Sequence, residues 1–369
     1  MQKFKIRHIF AGGNTSHGFF SYFNYIINLS DANRLYILKG GPGTGKSTFM
    51  KYIGSEAMNH DYDVEYFHCS SDSNSLDGVS IPSLKIAMVD GTAPHTIDPE
   101  YPGVVDEIIN LGEYWDKNKL KNYRDRVLRE RKEIKLNFAG AYRYLGAAAV
   151  IYQDTEIINK KYMDNRKLNK ITFELIEDLF FSSENPKTGN EEMLKKEGTV
   201  RRLFASAITP DGVINYLDSI LNTSRIYGLV GDPGMGINIL LEKIKEESTA
   251  RGYDVECFYC GLIPNKLEHI VIPELDISLT TINKYHSTKL TIDKYFNFED
   301  FSKKVTMEVC GNDVIENEKQ IDLLIKRAVK SIIKAKSIHF EMEKYYSPAM
   351  DFDRLMICKE RVKNEIGLF

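Results

Sequence analysis

The chain has 369 residues, 43% hydrophobic and 27% charged, with 49 Lys and Arg against 52 Asp and Glu for a net charge of −3. That length suits two domains of ordinary size, each able to bury its own core, and the slightly acidic balance gives no global attraction to nucleic acid or an acidic membrane. The start, Met1 to Arg7, is charged with no apolar run behind it, and the longest apolar run, 147–152, falls far short of the roughly 18 residues a membrane span needs. No signal peptide or span is expected, and a cytoplasmic location is.

In chain order, 35–38 reads as a short buried strand and is followed by a glycine-rich loop. Phe49, Met50, Ile53 and Ala57 then mark one face of a helix. Strands are expected at 64–69 and at 84–89, the latter ending on Asp90, in the order of a βαβ unit with a mainly parallel sheet. From 104 to about 180 the pattern is helical and charge-rich, and 182–190 is the best linker, full of turn formers. A similar helical region, 315–366, ends the chain. The five cysteines are scattered, and Cys257 and Cys260 fall on a strand-like run where they face opposite sides, so buried structural thiols are expected rather than a metal pair.

The second half repeats the first. Phe10, Thr15, Gly18 and Tyr22 recur as Phe204, Thr209, Gly212 and Tyr216 at a shift of 194 (204 − 10). Arg34 and Tyr36, then Tyr62, Ile81 and His95, recur as Arg225, Tyr227, Tyr253, Ile272 and His286 at a shift of 191 (225 − 34). Met163, Asp164 and Leu168 recur as Met350, Asp351 and Leu355 at 187 (350 − 163). A tandem duplication follows, with an intact domain at 1–190 that carries the helical insert 104–180, and a degenerate copy at 191–369.

The loop Gly40-Gly41-Pro42-Gly43-Thr44-Gly45-Lys46-Ser47-Thr48 is a complete G-x-x-x-x-G-K-[ST] phosphate-binding sequence. Its glycines admit φ > 0 and close approach of backbone N–H groups to phosphate oxygens, and the helix N-terminus behind it favours an anion. Lys46 is expected on the β- and γ-phosphates of ATP, and Ser47 and Asp90 on Mg²⁺. The copy, Gly231 to Asn238, keeps the glycine frame but has Ile237 for Lys46, Asn238 for Ser47 and Thr281 (90 + 191) for Asp90. Joint loss of lysine, hydroxyl and acid points to these three as one chemical set. His95 is demoted because His286 persists where that set is gone. Asp72, in a polar loop at the end of the second strand, is a candidate for orienting water or an acceptor hydroxyl. Arg124 stands for the insert's arginines as a candidate lid residue.

With Phe10-Ala11-Gly12-Gly13, the loop at 40–48, and Val89-Asp90-Gly91-Thr92-Ala93-Pro94-His95 followed by Asp98-Pro99, the chain resembles a family of tandem P-loop ATPases from spore-forming and related Gram-positive bacteria. The resemblance spans nearly the whole chain. It implies two three-layer α/β domains of the P-loop NTPase fold, and ATP bound through residues 40–48, without implying a substrate. In many hydrolysing classes a glutamate follows the Walker B aspartate; here that residue is Gly91.

The leading expectation is a Mg-ATP-dependent hydrolase in the first domain with a pseudo-NTPase second domain. The alternatives are a nucleotide or small-molecule kinase, which needs an acceptor, and a non-catalytic switch in which ATP binding alone changes shape or oligomeric state; a protein partner is a further possible ligand.

Overall fold

The computed structural model describes residues 5–94, 96–181, 196–301 and 305–369. His95 and the expected linker at 182–190 lie outside the described residues. The first half runs β1 (Ile6–Ile9), β2 (Gly12–Thr15), β3 (Gly18–Ser21), β4 (Arg34–Lys39), α1 (Lys46–Asn59), β5 (Val64–His68), β6 (Leu76–Ile81), β7 (Ile86–Asp90), β8 (Asp106–Asn110), α2 (Lys117–Lys121), α3 (Arg124–Tyr162) and α4 (Asn165–Phe180). The second half runs β9 (Val200–Phe204), β10 (Ser206–Thr209), β11 (Gly212–Asn215), α5 (Leu217–Ile220), β12 (Arg225–Val230), α6 (Ile237–Ala250), β13 (Val255–Tyr259), β14 (Leu267–Ile272), β15 (Ile277–Ile282), β16 (Lys294–Asn297), α7 (Val305–Tyr346) and α8 (Phe352–Ile366).

The fold is α/β, with two mixed and mostly parallel sheets of six strands. Their orders, β1-β5-β6-β7-β4-β8 and β9-β13-β14-β15-β12-β16, are the same, so the duplication written in the sequence is also one of topology. Two strands depart from the expected reading. β6 runs antiparallel between β5 and β7, in a stretch that the sequence does not mark as a strand. All six of its residues are buried, Asp77 and Ser80 included, so the alternation that marks a half-buried strand is missing. β8 stands where the sequence predicts a helical insert; it is a short edge strand parallel to β4. The Asp106 carboxylate that starts it accepts the N–H groups of Glu100 and Tyr101 at 2.6 and 2.7 Å.

The long helices pack on one side of each sheet, and on the other side the two halves share a core to which α5 also contributes Leu217 and Ile220. Leu35, Ile37, Ala87 and Val89 share a core with Leu203, Ile226, Phe258 and Val271 of the other half. Equivalent residues meet across this junction: Phe10 and Phe204 exchange backbone hydrogen bonds at 3.1 and 2.9 Å. Beside them Arg7 and Arg201 each bridge Glu65 and Glu256, at 2.5 to 2.9 Å. The four charges are largely desolvated yet mutually satisfied, the condition under which a buried ionic cluster persists.

The helical extensions cross over. α3 and α7, about 58 and 63 Å long at 1.5 Å per residue, lie antiparallel, with Tyr123 stacked on Tyr345 at one end and Asn317 donating to Asp154 at the other. Their seam is Ala141, Leu145, Ala148 and Tyr152 against Ile321, Ile325, Ala328 and Ile332, spaced by three or four residues on each side. The arms then deliver α4 and α8 to opposite halves. Leu168, Leu175 and Leu179 of α4 pack with Leu240, Leu241 and Ile244 of α6, while Leu355, Cys358 and Val362 of α8 pack with Phe49, Met50 and Ile53 of α1. Asp164 and Asp351, equivalent positions, cap the two delivered helices by accepting their first free N–H groups. Cys257 and Cys260 are buried free thiols. Among the described residues no helix is long and apolar enough to cross a membrane.

Candidate functional site

The loop at 40–45 joins β4 to α1 at the C-terminal edge of the first sheet, and β7 lies alongside β4 with Leu38 paired to Asp90. Gly43 and Gly45 have φ of 64° and 87°, where a side chain is disfavoured. Thr44 closes the loop by donating to the Gly41 carbonyl at 2.9 Å. Lys46, at the first position of α1, donates to the Gly40 and Gly41 carbonyls, both at 2.9 Å, and its Nζ lies 3.6 Å from the Asp90 carboxylate. The Ser47 hydroxyl accepts the Leu76 N–H at 3.0 Å, while Thr48 is exposed. Asp90 accepts the Thr92 N–H at 2.9 Å on one oxygen and turns the other to Lys46. The fold thus brings Lys46, Ser47 and Asp90 to one edge.

Gly91 has a steric reason. A Cβ there would collide with the side chain of Ile37, so a glutamate does not fit after Asp90. Lys39 fastens the segment by donating to the carbonyls of Gly91 and Ile97 at 2.8 and 2.6 Å.

The other half covers this loop. Ser347, just past α7, donates to the Gly43 carbonyl at 3.2 Å. The Glu343 backbone reaches within 3.3 Å of where a Gly43 Cβ would stand, and the Tyr346 ring packs on Gly41. Lys336, His339 and Glu343 lie on one face of α7 at spacings of three and four residues, and all three are electrostatically linked to Asp72. Burial, then Asp72, push the Glu343 carboxyl above its ordinary value, with Lys46 opposing. Burial and Lys46 push His339 down, and His339 Nδ1 lies 3.7 Å from Glu343. Residue types alone do not single these out; the three-and-four spacing was the available signal, but nothing in the order of residues says that α7 crosses to the first half.

Two expected residues have other employment. Asp72 is paired with Lys336 at 2.8 Å and accepts the Ser75 hydroxyl at 2.6 Å. Burial opposes its ionisation, but these two hydrogen bonds hold its carboxyl below the usual value. Arg124 is exposed at the start of α3 and pairs with its neighbour Asp125.

The second loop has the same backbone and different chemistry. Gly234 and Gly236 have φ of 88° and 89°. Ile237, in the place of Lys46, is buried, and the Met235 sulfur accepts the Asp232 N–H. Here α3 is the covering arm: the Glu156 backbone packs on Gly234, and Asn159 donates to the Pro233 carbonyl at 2.8 Å. Glu156 is the equivalent of Glu343 (343 − 187), but Lys266 holds its carboxylate at 2.6 Å. Comparison of the chain with protein-family models, curated proteins and solved structures finds no match.

Proposed function

We propose that the first half binds Mg-ATP at residues 40–48 and hydrolyses it, with α7 of the second half completing the site, and that the second half is a pseudo-NTPase; of this, the resemblance to tandem P-loop ATPases also implies the ATP binding. The single observation that carries it is the meeting of Lys46 and Asp90 at 3.6 Å on the edge of adjacent parallel strands, beside a loop in which Gly43 and Gly45 take the positive φ that suits a phosphate-binding turn. Lys46 is held by two loop carbonyls, the arrangement expected of an ammonium that exchanges them for phosphate oxygens.

Ser47 and Asp90 are the residues that would hold Mg²⁺, which would supply neutralisation of the phosphate charge. Lys46 stabilises the charge that develops on the transferred phosphoryl group. Glu343 takes the part for which Gly91 has no room: its carboxylate, kept basic by burial and the neighbouring Asp72, accepts a proton from the attacking water. The water oxygen bonds to the γ-phosphorus as the bond to the bridging oxygen breaks, leaving ADP and phosphate. Phosphate release by the purified chain, lost in Lys46→Ala, is the expected result; release that survives the substitution removes the reading.

The contact of Ser347 and Tyr346 with the loop favours one further role, a conformational switch. Phosphates seated on the loop must share space with the end of α7, so nucleotide binding biases the arm that joins the two halves. Engagement of Asp72 by Lys336 counts against the kinase alternative, because Asp72 is not free to orient an acceptor hydroxyl.

A further inference from the structure

The half without the lysine and the acid holds a different set of ligating groups. Glu268 and His269 are neighbours on β14, where consecutive side chains ordinarily point to opposite faces. A β-bulge undoes this: Phe258 pairs with His269 and Tyr259 with Leu267, so Glu268 is the extra residue and turns to the side of His269. His286, in the loop after β15, approaches the same point. Relative exposures are 4%, 0% and 4% for Glu268, His269 and His286.

One ligating atom from each lies within 4.8 Å of the others, against about 3.4 Å between ligands at the 2.0–2.1 Å bond lengths of a tetrahedral zinc site. Three buried polar atoms here, Glu268 Oε2, His269 Nε2 and His286 Nδ1, have no hydrogen-bond partner among the described residues. Glu268 Oε2 is 3.1 Å from His286 Nε2 but is not aligned with it as a hydrogen bond. His269 is oriented from behind, its Nδ1 2.7 Å from the Thr280 hydroxyl, which leaves Nε2 as the free atom. That is the outer-shell contact that metal-binding histidines use. Glu268 and His286 also line a cavity of about 220 Å³ whose wall is mostly apolar, with Asp232, Glu299, Glu318 and Lys284 among its charged residues, so an open coordination position faces that space.

The first half keeps the acid and one histidine, as Asp77 and His95 (268 − 191 and 286 − 191), but not the rest of the set. Its equivalents of His269 and Thr280 are Gly78 and Val89 (269 − 191 and 280 − 191). His269 and the hydroxyl that orients it are both peculiar to the second half.

The geometry points to a divalent transition-metal site, of the zinc class, formed by Glu268, His269 and His286 with an open position toward the cavity. Two imidazoles and one carboxylate are a donor set suited to such an ion. The assignment does not rest on nucleotide binding by the first half.

The test uses the full chain, stripped with a chelator, without nucleotide, and titrated with Co²⁺ and then Zn²⁺. About one equivalent of Co²⁺ is expected, with the intense visible absorption of a four-coordinate site, displaced by Zn²⁺ and accompanied by a higher melting temperature. Thr280→Val preserves shape and removes only the orienting hydroxyl; it should weaken Co²⁺ about 10- to 100-fold. His286→Gln, checked for folding by circular dichroism, should lose the band, and Asp90→Asn should leave it unchanged. A folded wild-type chain that takes up no Co²⁺, or Co²⁺ binding undiminished in folded Thr280→Val and His286→Gln chains, overturns the assignment and leaves a polar core triad.

Discussion

The two glycine loops have one backbone and opposite surroundings. At the first, a lysine faces an aspartate and the covering arm brings Glu343 and His339. At the second, Ile237 is buried in the lysine's place and the covering arm's Glu156 is tied to Lys266. Glycine geometry is therefore scaffold, retained in both halves because it shapes the turn from strand to helix. What separates the two is which charges point at that turn, and whether the arm's glutamate is free.

The largest expected contrast comes from the equivalent pair Lys46 and Ile237. Lys46→Ala should lower ATP turnover by about 10³-fold, the scale of losing a preorganised charge-stabilising group, with little change in stability. Ile237→Ala should leave turnover near wild type and lower unfolding stability by about 2–4 kcal/mol, as for a buried isoleucine. Steady-state phosphate release and urea unfolding of both variants measure the contrast, which fails if the two behave alike.

The junction comes next. Removing one member of the Arg7–Glu65–Arg201–Glu256 cluster strands the charges around it, so Glu65→Ala should cost about 3–5 kcal/mol in urea unfolding. A cost under about 1 kcal/mol would mean that the cluster is well solvated.

The arm glutamates sharpen the comparison further. Glu343→Gln should slow turnover about 10²-fold at unchanged nucleotide affinity, whereas Glu156→Gln should leave turnover alone. Equal effects would remove Glu343 from the chemistry.

The smallest effect is one of pH. Burial lowers His68 from 6.5 to about 4, beside His8 at 2.8 Å. The unfolded chain then binds the extra proton first, so this contribution to stability is complete above pH 6.5 and declines as pH falls toward 4. Melting temperature should drop across that window, and less so in His68→Asn.

Much of this was legible in the sequence because both signals are local. Residues 40–48 stand consecutively, and the repeat register survives as paired identities such as Phe10 with Phe204. β6 was not legible, because burial on both faces removes the alternation and Asp77, Gly78 and Ser80 resemble a loop. The crossing of the arms was not legible either. α4 and α8 both have apolar faces, and it is packing in space that assigns Leu355 to α1 and Leu168 to α6. Glu343 and His339 followed them out of reach, as did Glu268, whose bulge is a property of pairing rather than of spacing.

The most direct measurement is the stoichiometry of a non-hydrolysable Mg-ATP analogue by titration calorimetry on the full chain. One site per chain, abolished by Lys46→Ala and kept in Ile237→Ala, is the predicted result. Two sites, or binding that survives Lys46→Ala, would contradict the division of labour between the two loops.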